Sequence, residues 1–290
     1  MASTAAEAKP STSVISLEND VRFRRNQQSA LKVLGGTPVA PHDLPDTVGI
    51  AEAGSMDLRC TGTLIQPDVV LTAAHCICDG IAGRVFFGNS VQGGGSFVEV
   101  KGGKESFARR SNGSCQMNFG SQADLGILLL AHKVTGVPPR KIADDTSVDR
   151  SKGFHVAGFG AIDRNASIDP RVKYETNVTS VSNNCAGHVN DSPRGNPDAS
   201  GYGCRSGHEI IAGARLSTDT CNGDSGGPLF VSPDGTGHAS ASSQLTLAGT
   251  TSRGTNLSTT ACGDGGTYER LDSEARAWID TAIAELRQGR

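Results

Sequence analysis

Apolar residues along this chain come in short runs cut off by Gly, Pro, Asn or Asp. In the first half the runs are Thr63-Leu64-Ile65, Val69-Val70-Leu71-Thr72, Arg84-Val85-Phe86-Phe87 and Phe97-Val98-Glu99-Val100. β-Branched and aromatic side chains bounded by turn residues read as strands, and many short strands in series suit a small antiparallel barrel. Gly93-Gly94-Gly95 and Ser111-Asn112-Gly113-Ser114 read as loops. Pro138-Pro139 and Asp144-Asp145 mark a connection, after which a second set begins: Gly153 to Ala157, Pro228 to Val231, Leu245 to Ala248 and Gly266 to Tyr268. Helical spacing appears only near the end, in Trp278, Ile279, Ala282, Ile283 and Leu286. It has an acidic start at Asp272-Ser273-Glu274 and a basic finish at Arg287. The pattern predicts an all-β chain in two halves, closed by one helix whose Trp278 packs.

Composition narrows this further. A chain of 290 residues with 37 glycines and few aromatics can bury one large core or two small ones. Its net charge of −3 is spread among interspersed acids and bases, so nothing points to nucleic acid or an anionic membrane. The longest apolar run, Ile127 to Ala131, is far too short to span a bilayer. Eight cysteines suit a disulfide framework, which places the chain in an oxidising compartment, while leaving about 105 possible pairings. Zinc would have to use Cys76 and Cys78 beside His75, and no second cluster has ligand spacing, so neither metal nor cofactor is expected. Met1 to Lys32 has no apolar core of a secretory signal and the composition of a tail.

The chemistry concentrates in Asp219-Thr220-Cys221-Asn222-Gly223-Asp224-Ser225-Gly226-Gly227-Pro228. Glycines beside a serine let another main chain come close, and amides at such a turn can converge on an oxyanion. Leu71-Thr72-Ala73-Ala74-His75-Cys76 and Ala123-Asp124-Leu125-Gly126 complete the order His, Asp, Ser. At these three motifs, and from Val33 to the C-terminal helix, the chain resembles the trypsin/chymotrypsin-like serine proteases. The resemblance implies two six-stranded antiparallel β-barrels with a C-terminal α-helix: residues 33–142, 143–271 and 272–288, after a propeptide at 1–32.

It also implies site roles. His75, Asp124 and Ser225 would be catalytic, with the amides of Gly223 and Ser225 as oxyanion donors and Ser252 supporting Asp124. Asp219 would floor the primary pocket, with Thr220 near the base and Gly254 and Gly266 as open walls, selecting substrates with Arg or Lys at P1. Lys32-Val33-Leu34-Gly35-Gly36 resembles an activation site, where cleavage after Lys32 frees the Val33 amine to meet Asp224. Disulfides Cys60–Cys76, Cys185–Cys204 and Cys221–Cys262 follow from the same likeness, which leaves Cys78 and Cys115 to each other, outside the common pattern. Expected partners are protein or peptide substrates and proteinaceous protease inhibitors, for a secreted monomer that contacts neither nucleic acid nor membrane.

Two features depart or distract. Arg253 stands where the family usually has an aromatic residue, and a guanidinium there would repel basic residues, attract acidic ones, or lie on the surface. It is the one feature favouring the alternative, a non-catalytic binding protein on the same scaffold. Gly158-Phe159-Gly160 faintly resembles a dinucleotide loop, but lacking a third glycine and a following helix it reads as a turn. Two loops, Ser192 to Gly203 and Ser232 to Ser243, look inserted and by family position fall near the substrate.

Overall fold

A computed structural model describes residues 35–161, 172–187, 198–213, 218–260 and 262–289. Six strands close the first barrel: β2 (Thr47–Ala51), β3 (Leu58–Gln66), β4 (Val69–Thr72), β5 (Arg84–Phe87), β6 (Ser96–Glu105) and β7 (Gly126–Leu130), in the order β2-β3-β4-β7-β6-β5. The second comprises β8 (Gly153–Gly158), β9 (Tyr174–Ser182), β10 (Glu209–Ala212), β11 (Pro228–Val231), β12 (Thr246–Gly254) and β13 (Gly266–Arg270), closed by pairing of β8 with β9. The short strand β1 (Thr37–Pro38) joins this second sheet by pairing with Glu175 and Tyr174 of β9. Helix α1 (Ala74–Cys78) follows β4, and α2 (Asp145–Asp149) lies between the barrels in sequence. The chain closes with α3 (Ser273–Arg287).

The continuous apolar runs have a topological cause. On β7, Leu128 and Leu130 point into the first barrel with Val48, Ile50 and Val70. Their neighbours Ile127 and Leu129 face a separate core with Leu71, Phe230, Leu247, Ile279 and Ile283. On β11 the alternation repeats, with Leu229 and Val231 inside the second barrel and Phe230 in the shared core. Strands buried on both faces show no polar alternation. Helix α3 covers this shared core with Ala275, Ile279, Ala282 and Ile283, and Asp272 caps it by accepting the Ala275 amide at 2.9 Å.

The connection between barrels is pinned by Arg140. Its guanidinium takes both oxygens of buried Asp46 at 2.6 and 2.7 Å and reaches the Ser242 and Leu245 carbonyls. A two-pronged bond of this kind fixes orientation as well as distance. Of the two inserted loops, residues 192–197 lie outside the described residues. The other, Ser232 to Ser243, packs on the far end of the second barrel, where Gly235 accepts the Lys152 amide at 2.8 Å. Because β11 leaves the Ser225 turn at Pro228 and carries the chain away, this loop lies at the opposite end of the strand from Ser225, and not near it as expected from the family position.

Candidate active site

Strand register brings the first two side chains together. β4 and β7 run antiparallel with Thr72 opposite Gly126, so the residue three past one strand end meets the residue two before the other. These are His75 and Asp124. Fully buried Asp124 accepts the His75 Nδ1 proton at 2.8 Å through Oδ2 and the His75 amide at 3.0 Å through Oδ1. The Ser252 hydroxyl, from β12, donates to the same Oδ2 at 2.7 Å. Nδ1 of the imidazole therefore carries a proton, and Nε2 is left to act as a base. Burial is the largest influence on His75 and lowers its pKa, but the Asp124 hydrogen bond and charge, with Asp79, outweigh it and raise the pKa above the ordinary value.

Ser225 is held by its main chain. Its carbonyl accepts the Thr61 amide at 2.8 Å, and Gly226 donates to Thr251 at 2.8 Å, which fastens the turn to both barrels. Among the described residues no hydrogen bond joins the Ser225 hydroxyl to the imidazole; in enzymes such contacts often tighten only when substrate binds. The turn's carbonyls are occupied: Cys221 by the Asp224 amide, Asn222 by Ala161, Gly223 by Thr61 and Asp224 by Gly227. Among the described residues the N–H groups of Asn222, Gly223 and Ser225 donate to no acceptor, and amides at such a turn can bind an anion. Gly223 has φ 99° and Gly226 φ 80°; a Cβ on Gly226 would lie 2.0 Å from Thr72 Oγ1. Glycine is needed at both.

Asp219 is 2% exposed and floors a cavity of about 60 Å³ lined also by Thr220, Ser225, Ser252, Gly254 and Gly266. The amides of Thr220 and Gly265 donate to its carboxylate at 2.8 and 2.9 Å, and that of Gly263 at 3.3 Å. Ser258, not singled out from sequence, completes a wall. Asp224 is wholly buried, accepting the Gly160 amide at 2.8 Å and the Cys221 amide at 2.9 Å. A Cβ on Gly158 or Gly160 would fall 2.1 or 2.5 Å from this carboxyl group, so the Gly-Phe-Gly turn exists to admit Asp224. Lys32 and Val33 lie outside the described residues.

All four disulfides form as read: Cys60–Cys76, Cys78–Cys115, Cys185–Cys204 and Cys221–Cys262, leaving no free cysteine. Cys60, His75 and Cys76 lie close enough to suggest a metal centre, but both sulfurs are spent in one bond, and the thiolates that zinc requires are absent.

Arg253 lines the same cavity as Asp219 and Ser225, and it does so as a paired charge, not a free one or a loose surface group. Its guanidinium binds both oxygens of fully buried Glu209 at 2.8 and 3.0 Å, and donates to the Gly203 carbonyl at 2.9 Å and to Ser252 Oγ at 3.2 Å. An unpaired buried carboxylate is costly, and Arg253 removes that cost. Beside it, buried Glu269 accepts the Asp124 amide at 2.8 Å and a bond from Arg205 at 2.5 Å. This group of two acids and two bases behind Asp124 escaped sequence reading, because a charged residue in a strand does not reveal its partner. Phe119 completes the rim, edge-on to His75 with ring centroids 6.1 Å apart, and lies beneath the Arg253 guanidinium at 5.5 Å.

Burial, then the neighbouring Glu209, raises the Glu269 pKa above the carboxylate range, with Arg205 opposing. A raised carboxyl pKa gives stability that is full at acid pH and is lost as pH rises through the folded value. Glu269→Gln keeps the acceptor for the Asp124 amide. In urea titrations it is therefore expected to match wild type at acid pH and to lose less stability than wild type as pH rises from the ordinary carboxylate range through the folded value. Glu269→Leu, which strips Asp124 and Arg205 of their partner, should cost about 3–5 kcal/mol. Parallel pH–stability curves for wild type and the Gln variant across that range would contradict the raised Glu269 pKa.

Comparison with known proteins follows the same lines. The family model described as Trypsin matches residues 33–279. A "Trypsin-like protease" of Streptomyces glaucescens is 30% identical over 211 residues, spanning 70% of this chain and 68% of the relative. "Chymotrypsin-like elastase family member 1" of Bos taurus is 26% identical over 274 residues, spanning 87% and 90%. Among solved structures, neuropsin, a serine protease expressed in the limbic system of mouse brain, superposes with a TM-score of 0.60. At 22% identity it covers 86% of this chain and 98% of its own, a likeness of fold.

Proposed function

The chain belongs to the trypsin-like serine protease family, and on that premise we propose that it is a secreted endopeptidase cleaving after Arg or Lys, made as a precursor that cleavage after Lys32 activates. The observation that carries this reading is the slot in which buried Asp219 and Ser225 line one cavity. A carboxylate that has main-chain amides but no cation among the described residues, in a narrow slot, calls for a basic side chain from the substrate.

In this reading Ser225 Oγ attacks the scissile carbonyl while His75 Nε2 takes its proton. The carbonyl oxygen, now negative, moves between the Gly223 and Ser225 amides, donors worth about 3–4 kcal/mol each in comparable sites. Asp124, held by Ser252 and the His75 amide, stabilises the imidazolium without becoming protonated. The imidazolium then protonates the leaving amine, and water repeats the sequence on the acyl-enzyme. Activity is lost as pH falls through the raised His75 pKa, since only the neutral ring can accept the proton. Its partners are protein or peptide substrates and proteinaceous inhibitors that fill the same slot, and it acts as a monomer.

A serine-directed fluorophosphonate tests this reading. After cleavage at Lys32 it should label Ser225 and no other serine, and a peptide library should be cut after Arg and Lys. Absence of labelling in correctly cleaved protein would favour a binding role instead.

A further inference from the structure

One residue of the first barrel bonds to two separate segments of the second, the Gly223–Ser225 turn and the Phe159 segment, and nothing in the sequence marks it. Thr61, on β3, is fully buried. Its hydroxyl donates to the Gly223 carbonyl at 2.9 Å and accepts the Phe159 amide at 3.1 Å. Its amide donates to the Ser225 carbonyl at 2.8 Å, and its own carbonyl accepts the Thr72 hydroxyl at 2.8 Å. Every polar group it owns is thus used, as burial requires.

We infer that Thr61 is a positioning residue for the oxyanion turn, its hydroxyl fixing the Gly223 peptide and clamping that turn to the Phe159-Gly160 segment. The inference rests on the reading of Gly223 and Ser225 as oxyanion donors. The Gly223 carbonyl belongs to the peptide that follows the donor amide, so holding it sets the backbone angle on one side of a residue that already sits at φ 99°. Without a side chain of its own, Gly223 has little else to resist rotation about that bond. Asp224 performs a parallel task by bridging the Gly160 and Cys221 amides. Two side chains, one from each barrel, therefore tie the same two turns together. The Thr61 hydroxyl is the one that does so without depending on a charge, and hydrogen-bond donors aimed in advance at a developing oxyanion are what a transition state exploits.

The test compares Thr61→Val, which keeps the shape but removes the hydroxyl, with Thr61→Ser, which keeps the hydroxyl, in full-length protein cleaved after Lys32. The Val variant should lose roughly tenfold in kcat with little change in KM, the scale of one buried hydrogen bond. Its affinity for a peptide aldehyde, whose adduct places an oxyanion in the turn, should fall by the same factor. Affinity for benzamidine, which reads the Asp219 slot alone, should stay at the wild-type value, and the Ser variant should restore the others. Hydrogen exchange of a peptide covering residues 221–226 should be faster in the Val variant only; this reads the turn whether or not the chain is a protease. Equal losses for aldehyde and benzamidine, or unchanged exchange and kcat, overturn the inference. Failure of the wild type to bind the aldehyde, with exchange altered as expected, would instead fault the protease reading.

Discussion

Asp219→Ser is expected to reduce kcat/KM for arginyl and lysyl substrates by about two to nearly four orders of magnitude while leaving turnover of small neutral P1 residues comparatively intact. The estimate follows from losing one member of a buried charge pair, about 3–5 kcal/mol, at 1.4 kcal/mol for each factor of ten. Burial pushes the Asp219 pKa up to about 7, against the pull of three main-chain amides and with a further upward push from Asp224. In the proposed function a substrate guanidinium would supply the opposite charge that a buried carboxylate lacks. The sign of the pH effect follows: the empty site is protonated below this value and ionised above it, so a cation gains affinity as pH rises through about 7 and then levels off. Benzamidine titrations across this range in wild type and the Ser variant separate the two proteins. Unchanged arginyl turnover in the variant would remove Asp219 from the pocket floor.

Lys32→Gln should yield a precursor with activity some two to four orders of magnitude below that of the cleaved wild type. Asp224 has no cation among the described groups that act on it, and burial raises its pKa to about 7, with the Cys221 and Gly160 amides opposing. Leaving a buried carboxylate without its partner costs about 3–5 kcal/mol, enough to make the ordered turn a minor population. Cleavage would deliver the Val33 amine as that partner. In the pair the amine's pKa rises above its free value of about 7.7–8.0. Its contribution is therefore full below that value and disappears as pH climbs through the folded value, so mature activity should fall reversibly on the alkaline side. In the uncleaved variant, Asp224 alone makes the turn less stable as pH rises through about 7. Mass spectrometry of the N-terminus, with active-site titration, checks both. Full activity in protein shown to be uncut at residue 32 would refute the switch.

The readable parts of the chain were those whose physics is local. Strands β4, β5, β8 and β11 appear in sequence because their apolar runs are buried on both faces or bounded by turns. Strand β9 (Tyr-Glu-Thr-Asn-Val-Thr-Ser-Val-Ser) stayed hidden, because its polar side chains lie on a partly exposed face and it earns its place through pairing with β8 and β10. β10, four residues long and beginning with a glutamate, offers too little pattern to recognise. His75, Asp124, Ser225 and Asp219 were legible because each sits in a motif that constrains its neighbours. The place of Arg253 beside the pocket is legible, but its pairing is not, because Glu209, which neutralises it, lies 44 residues away on another strand. Thr61 looked like any strand threonine until the two barrels met, and the two glycines around Phe159 had no visible purpose until Asp224, 64 residues beyond Gly160, was seen lying against them.

The Cys78–Cys115 bond joins the end of the histidine-bearing helix to the segment between β6 and β7 that carries Phe119. A covalent tie at that place holds the Phe119 segment at a set spacing from the helix that carries His75. For the proposed protease, selective reduction of this one cystine is therefore expected to change the turnover of protein substrates more than that of small esters.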